Sequence, residues 1–212
     1  MPAIRRRPLL WGLAAMAAAT VFAFAAALLT TPAHYAPADA SSPETLRLGE
    51  ATENAVAREL SRVRPAATNA PAGAYASEPW ELTFDETELN AWLGARLPQW
   101  LASRGATMPA GLSAAAVDAE PGRLTIAATY RTLVGDVVLS QVLLAPGGTP
   151  PRLVPQGLHA GDVPVPFDAL PLDRWLERVA KPIRLEDGRA VEIVSIEAAD
   201  ATLTVRCRTV KP

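Results

Sequence analysis

From Pro8 to Ala38 the chain carries no Asp, Glu, Lys or Arg, and within that run Leu9 to Leu29 is interrupted only by Gly12 and Thr20. A helix rises about 1.5 Å per residue, so an apolar run of this length matches a hydrocarbon core of roughly 30 Å. Buried in a soluble core instead, it would leave a continuous apolar surface with charge at one end only. Residues 9–29 are therefore expected to form a transmembrane helix that serves as a signal anchor. Arg5, Arg6 and Arg7 stand just before it, and no Lys or Arg follows until Arg47. The positive-inside bias then places residues 1–8 in the cytoplasm and the rest of the chain beyond the inner (cytoplasmic) membrane, in the periplasm or outside. Trp11 and Tyr35 fall near the two headgroup regions, where amphipathic rings are favoured. The competing expectation is a cleaved signal peptide. Ala38-Asp39-Ala40 before Ser41 has the small-x-small form of a cleavage site, although signal-peptide apolar regions run only about 7–15 residues.

Past this segment about 170 residues remain, the size of one domain with a substantial core. Half the residues are hydrophobic and 20% charged, a globular balance. The 20 basic and 22 acidic residues are interspersed, for a net charge of -2, and offer no stripe to a nucleic-acid backbone. With a single cysteine, Cys207, no intrachain disulfide can form, so the core must hold without covalent staples.

Residues 30–77 read as a tether containing one helix. Thr31 to Ser42 is rich in Pro, Ala and Ser. Ser42 as N-cap, Pro43 at the first helical position and Glu44 in the first turn predict a helix over 43–64. Its short apolar stripe, Val56, Leu60 and Val63, suits a stalk standing off the main domain. The domain itself, 78–212, opens with Trp80 to Leu101, a short alternating strand running into a helix. Asp85 and Glu88 form a capping-box pair, Phe84 can pack on Leu89, and Leu89, Trp92, Leu93 and Leu97 share a face until Pro98.

The period then changes. Leu124, Ile126, Ala128 and Tyr130 alternate with Arg123, Thr125, Thr129 and Arg131, as in a half-buried strand. Gly135-Asp136 separates this strand from Val137 to Leu144, a hairpin signal. A further hairpin is expected from Val191 to Val210, turning near Asp200, with Leu203, Val205 and Cys207 on one face. Between these β regions Pro164 to Val179 carries Leu172, Trp175, Leu176 and Val179 at helical spacing. The fold class is α+β: an antiparallel sheet of about five to seven strands packed on two amphipathic, Trp-bearing helices.

No catalytic constellation assembles from these residues. His34 and His159 are isolated, and zinc requires three or four ligands at workable spacing. Cys207 lies on an apolar strand face with no nearby His, as a small core residue would. Of the carboxylates Asp85, Glu86 and Glu88, capping already employs two. No phosphate-binding loop, dinucleotide fingerprint or nucleophile elbow is present. No catalytic residue, metal or cofactor is therefore assigned. Trp80, Trp92, Trp100 and Trp175 are the large flat side chains able to fill a core or line a groove. Phe167 and Val163 belong to a Pro-rich stretch between sheet and helix. Trp92, Trp175, Phe167 and Val163 are accordingly the expected lining of an apolar ligand site.

The run Phe84-Asp85-Glu86-Thr87-Glu88-Leu89-Asn90-Ala91-Trp92-Leu93 resembles the F-T-x-x-E-L-N-A-x-L entry of membrane-anchored extracytoplasmic proteins of the YpmS type. Ala160-Gly161-Asp162-Val163-Pro164-Val165-Pro166 is similar to the G-x-L-P-L-P step of related envelope proteins. Together the two motifs span about 80 residues in order. Asp85 stands where Thr is usual. The resemblance implies an α+β envelope domain, sometimes likened to lipid-binding folds, and carries over no catalytic residue. The expected role is non-enzymatic binding of a lipidic ligand or an envelope partner. A scaffold of an envelope complex is the first alternative and an envelope hydrolase the second.

Overall fold

Asp85 ends a strand and starts a helix. With φ -81° and ψ 162° it is extended, its Oδ1 accepts from the Glu88 N–H at 2.7 Å, and Glu88 Oε2 accepts from the Asp85 N–H at 3.1 Å. This reciprocal capping box joins β2 (Trp80–Asp85) to α3 (Glu86–Ala95). α3 stops at Ala95, and a second short helix, α4 (Leu97–Ser103), begins with Pro98 in its first turn, where a missing N–H costs nothing. The computed structural model describes residues 16, 19–68, 75–103, 105, 107–133, 135–144, 153–166 and 182–211.

The protein is α+β, with two antiparallel five-stranded sheets in place of the single sheet expected. The first sheet is built around β10 (Thr202–Lys211). One side of β10 pairs with β9 (Ala190–Ala199), on whose far side lies β8 (Ile183–Arg184). The other side is filled end to end by β2, along Thr202 to Cys207, and by β1 (Tyr75–Ala76), at Val210 and Lys211. The second sheet is a sequential meander of β3 (Leu112–Glu120), β4 (Arg123–Thr132), β5 (Gly135–Leu144), β6 (Val154–Ala160) and β7 (Val163–Val165). Because β2 already occupies the free edge of β10, the C-terminal hairpin cannot extend the meander. The sheets meet at their turns: Ala201 N–H donates to Ala119 O at 2.9 Å, and Gly122 N–H to Ala198 O at 2.8 Å.

The free edge of β3 is covered by α3. Asn90 is buried; its Nδ2 donates to Val117 O at 2.9 Å and its Oδ1 accepts from Val117 N–H at 2.7 Å. Glu86 Oε2 accepts from Ala119 N–H at 3.3 Å. Two side chains thus satisfy backbone groups that an open edge would offer to another chain. Leu89 and Leu93 from the same helix pack on a core of Val117, Ala119, Leu124 and Leu143, joined by Ile126 and Leu203. Leu124 is buried as its alternation predicts. Thr125, Ala127 and Ser140 on the opposite face are buried as well, so both faces of the meander's centre are covered and alternation no longer tells them apart.

Two further expectations are corrected. The helix α2 (Pro43–Ser61) does not stand off as a stalk but packs along α3. Gly49 makes this close approach: a Cβ there would lie 2.9 Å from Ala91 O. Ser42 is its N-cap by backbone geometry, without a side-chain capping bond, and Val63 lies past the helix in solvent. The segment before it is not a free tether either. Pro32 is buried, Ala38 O lies against Gly94, and the Tyr35 hydroxyl bonds Ala114 O and Thr129 Oγ1, each at 2.6 Å. A bulge frees that Ala114 carbonyl, with φ 48° at Ala114.

Pro164 does not open a helix. It sits in β7, an edge strand where no N–H is needed, paired with His159. Val165 continues β7 and Pro166 follows it outside any helix, while residues 167–179 of the helix expected over 164–179 lie outside the described residues. So do residues 9–15, 17 and 18 of the span expected over 9–29; residues 19–28 of it are helical and form α1. Among the described residues no helix is long and apolar enough to cross a membrane.

Candidate functional site

On α2 the residues Thr52, Val56 and Leu60 recur every fourth position, with Glu53 and Ala57 beside them. That ridge faces α3. Because Gly49 brings the helices together at Ala91, the wider side chains beyond the crossing hold them apart. The gap is a half-open cavity of about 390 Å³ lined by Val56, Ala57, Leu60, Phe84, Leu89, Trp92 and Trp100, with Thr52 and Glu53 at its α2 wall. Trp92 and Trp100 form one end, edge to face, with ring centroids 6.1 Å apart at 64°. Trp100 remains 40% exposed, so part of this aromatic wall meets solvent.

The polar residues of the α2 wall are already engaged. The Thr52 hydroxyl donates to Leu48 O at 2.9 Å, and Glu53 is ion-paired with Arg96 at 2.5 Å. The Glu53 hydrogen bond holds the Arg96 guanidinium above its ordinary pKa. Arg96 also donates to Gln99 Oε1 at 2.9 Å, tying α2, α3 and α4 at one point. The rest of the lining, from Val56 to Trp100, is mainly hydrocarbon and aromatic surface, suited to an apolar ligand.

A second cluster lies on the first sheet. Arg64 stacks 3.7 Å over the Trp80 ring and pairs with Glu59 at 2.7 Å. Burial lowers the Arg64 pKa from its ordinary value, with the Glu59 charge opposing. Trp80 faces Cys207 across the β2–β10 pairing and donates from Nε1 to Thr209 Oγ1 at 3.2 Å. Burial pushes the Cys207 thiol up to about 11, Arg64 pulling weakly the other way. At neutral pH it is a protonated core side chain, without the thiolate character of a nucleophile.

Of the four residues expected to line a ligand site, Trp92 is in the cavity. Val163 is on β7, at the opposite edge of the meander from the β3 edge that α3 covers, so the two are not brought together. Trp175 and Phe167 lie outside the described residues. Val56 and Leu60 were visible in the sequence as an apolar stripe. Their role was missed because a short stripe on a helix between two Pro-rich segments reads equally as a stalk. His159 is on β6, and among the described residues no group of three or more His, Cys, Asp or Glu is placed to hold a metal ion. Asp85 and Glu88 are spent on the capping box and Glu86 on β3.

The cavity has a direction. Glu86 bonds Ala119 and Asn90 bonds Val117, so α3 runs against β3, toward the end of the meander that holds Leu112, Tyr130 and the β4–β5 turn. Ala38, which follows α1 in the chain, touches Gly94 near the end of that helix. The Trp92 end of the cavity therefore lies on the α1 side of the domain. No protein-family model, no curated protein and no solved structure matches the chain.

Proposed function

We propose that this protein is a membrane-anchored extracytoplasmic domain that binds an acyl-chain ligand, without transforming it, in the cavity between α2 and α3. The observation that carries the reading is the composition of that wall: Val56, Ala57, Leu60, Phe84, Leu89, Trp92 and Trp100 around about 390 Å³. This volume falls within the roughly 300–1,000 Å³ of small-ligand sites. A core meant only for stability would be filled to the density of an organic crystal, with few voids larger than a water molecule.

The anchor at 9–29 is the second part of the proposal. Its support is the charge-free sequence together with the exposure of Val21, Phe22 and Phe24 in α1 and of Leu29 just after it. Such side chains in water would form an apolar surface of the kind that marks a membrane or protein contact. With the Trp92 end of the cavity on the α1 side, an acyl chain would enter from the bilayer along a short path. The YpmS-type resemblance agrees with this reading, and its two motifs have structural roles here. Phe84 to Leu93 builds the capping box, the β3 clamp and one cavity wall, while Gly161 forms the β6–β7 turn.

Titration of the detergent-solubilised full chain with the fluorescent fatty acid cis-parinaric acid tests the site. One saturable site per chain, competed by palmitate, is expected. Signal that rises without saturation, or that palmitate leaves unchanged, counts against a built cavity.

A further inference from the structure

The end of α1 is seated on two turns of the meander. Asp162 N–H, in the β6–β7 turn, donates to Ala27 O at 3.0 Å. Gly161 beside it has φ 56° and lies so close to the Ala27 and Leu28 carbonyls that a Cβ would overlap them. At the β4–β5 turn, Leu29 Cδ2 lies 3.3 Å from the position of a Cβ on Gly135. Leu29 is the last residue of the apolar run, so the β4–β5 turn stands where the run ends.

That turn has an unusual surface. Leu133 at its tip is 107% exposed, more open than in an extended reference chain, and Tyr130 and Leu29 are exposed beside it. A leucine this exposed at a hairpin tip buries no apolar surface against the described residues. A tyrosine next to it has the apolar body and polar end favoured at a membrane interface. The Thr132 hydroxyl donates to Gly135 O at 2.6 Å and ties the two strand ends together at the turn.

We infer that the β4–β5 tip, Tyr130 to Leu133, is a lipid-contacting surface that dips into the bilayer interface beside α1. The occupant is the headgroup and acyl boundary, because the chain that reaches this turn is the end of the apolar run itself. The inference rests on the anchor reading. Its consequence is a fixed orientation: the domain sits on the membrane by two points, α1 and the hairpin tip, with the cavity's Trp92 end held toward the lipid.

The test places a bimane probe at Leu133→Cys or, as a control, at Asp187→Cys, each in Cys207→Ala. Asp187 lies in the β8–β9 connection, beside Arg189, which bonds the far end of α2 at Ser61 O and Arg62 O. Should Cys207→Ala fail to fold, the native background serves, since the buried thiol resists labelling. The full chain is reconstituted in vesicles of phosphatidylcholine and phosphatidylglycerol carrying nitroxide-labelled acyl chains. The Leu133 probe is expected to be quenched by the lipid nitroxides at a depth of about 5–10 Å, as for interfacial apolar side chains, and the Asp187 probe by aqueous iodide alone. Iodide quenching at both positions, with the chain retained after carbonate washing, overturns the hairpin inference and leaves the anchor standing. Release by carbonate overturns both.

Discussion

Asn90 has both ends of its amide committed to Val117 in a buried setting, so removing it leaves a backbone donor and acceptor of β3 without partners. Asn90→Ala is expected to cost about 1–3 kcal/mol for each group so orphaned, seen as a lowered midpoint in thermal unfolding of the solubilised chain. Cys207 gives a prediction in pH. Its thiol is raised from 9.0 to about 11 by burial, so the folded state holds the proton more tightly than the unfolded one. Its contribution to stability is complete below the unfolded value and is lost as pH rises toward the folded one. Unfolding midpoints should therefore fall more steeply above about pH 9 in the native chain than in Cys207→Ala. At pH 8 a thiol reagent should label Cys207 only as fast as the domain opens. Rapid labelling of the folded chain would contradict its placement.

The helix pair is the element on which the cavity depends. Gly49→Val puts a branched side chain into the Ala91 carbonyl, and overpacking of this kind costs about 1–3 kcal/mol. Separation of α2 from α3 also removes one wall, so cis-parinaric acid binding should be lost in this variant even where it remains folded. Glu53→Gln, by contrast, breaks a part-exposed ion pair, and the unfolding midpoint is expected to change little. Much of α3 was legible in the sequence because its signals are local: Asp85 and Glu88 are three residues apart, Phe84 and Leu89 bracket the cap, and Pro98 marks the break. The role of Asn90 was not legible, since its partner Val117 lies 27 residues away and no local pattern distinguishes a buried Asn from a solvated one. The packing of α2 was hidden for a similar reason. Gly49 reads as a weak spot in a helix until Ala91 is beside it, and then the missing side chain is what permits contact. The second sheet was missed because the pairing of β2 with β10 joins residues more than a hundred positions apart, and turn signals report only neighbours in the chain.

At the scale of the whole molecule, the direction of α3 and the seating of α1 on the β6–β7 turn put the Trp92 end of the cavity and the end of α1 on one side. Gly161→Val should disturb that seating through the Ala27 and Leu28 carbonyls without touching the cavity. The variant is expected to keep its acyl-chain binding in detergent while limited proteolysis between α1 and α2 becomes faster. An acyl-chain site between α2 and α3 should hold lipid in the native membrane. Native mass spectrometry of the full chain, released gently from membranes, measures this directly when the wild type is compared with Val56→Trp, whose larger ring fills the space. A copurified acyl-chain lipid is expected on the wild type and is expected to be lost from a folded Val56→Trp chain. An unliganded wild type, or the same lipid load on both, would contradict it.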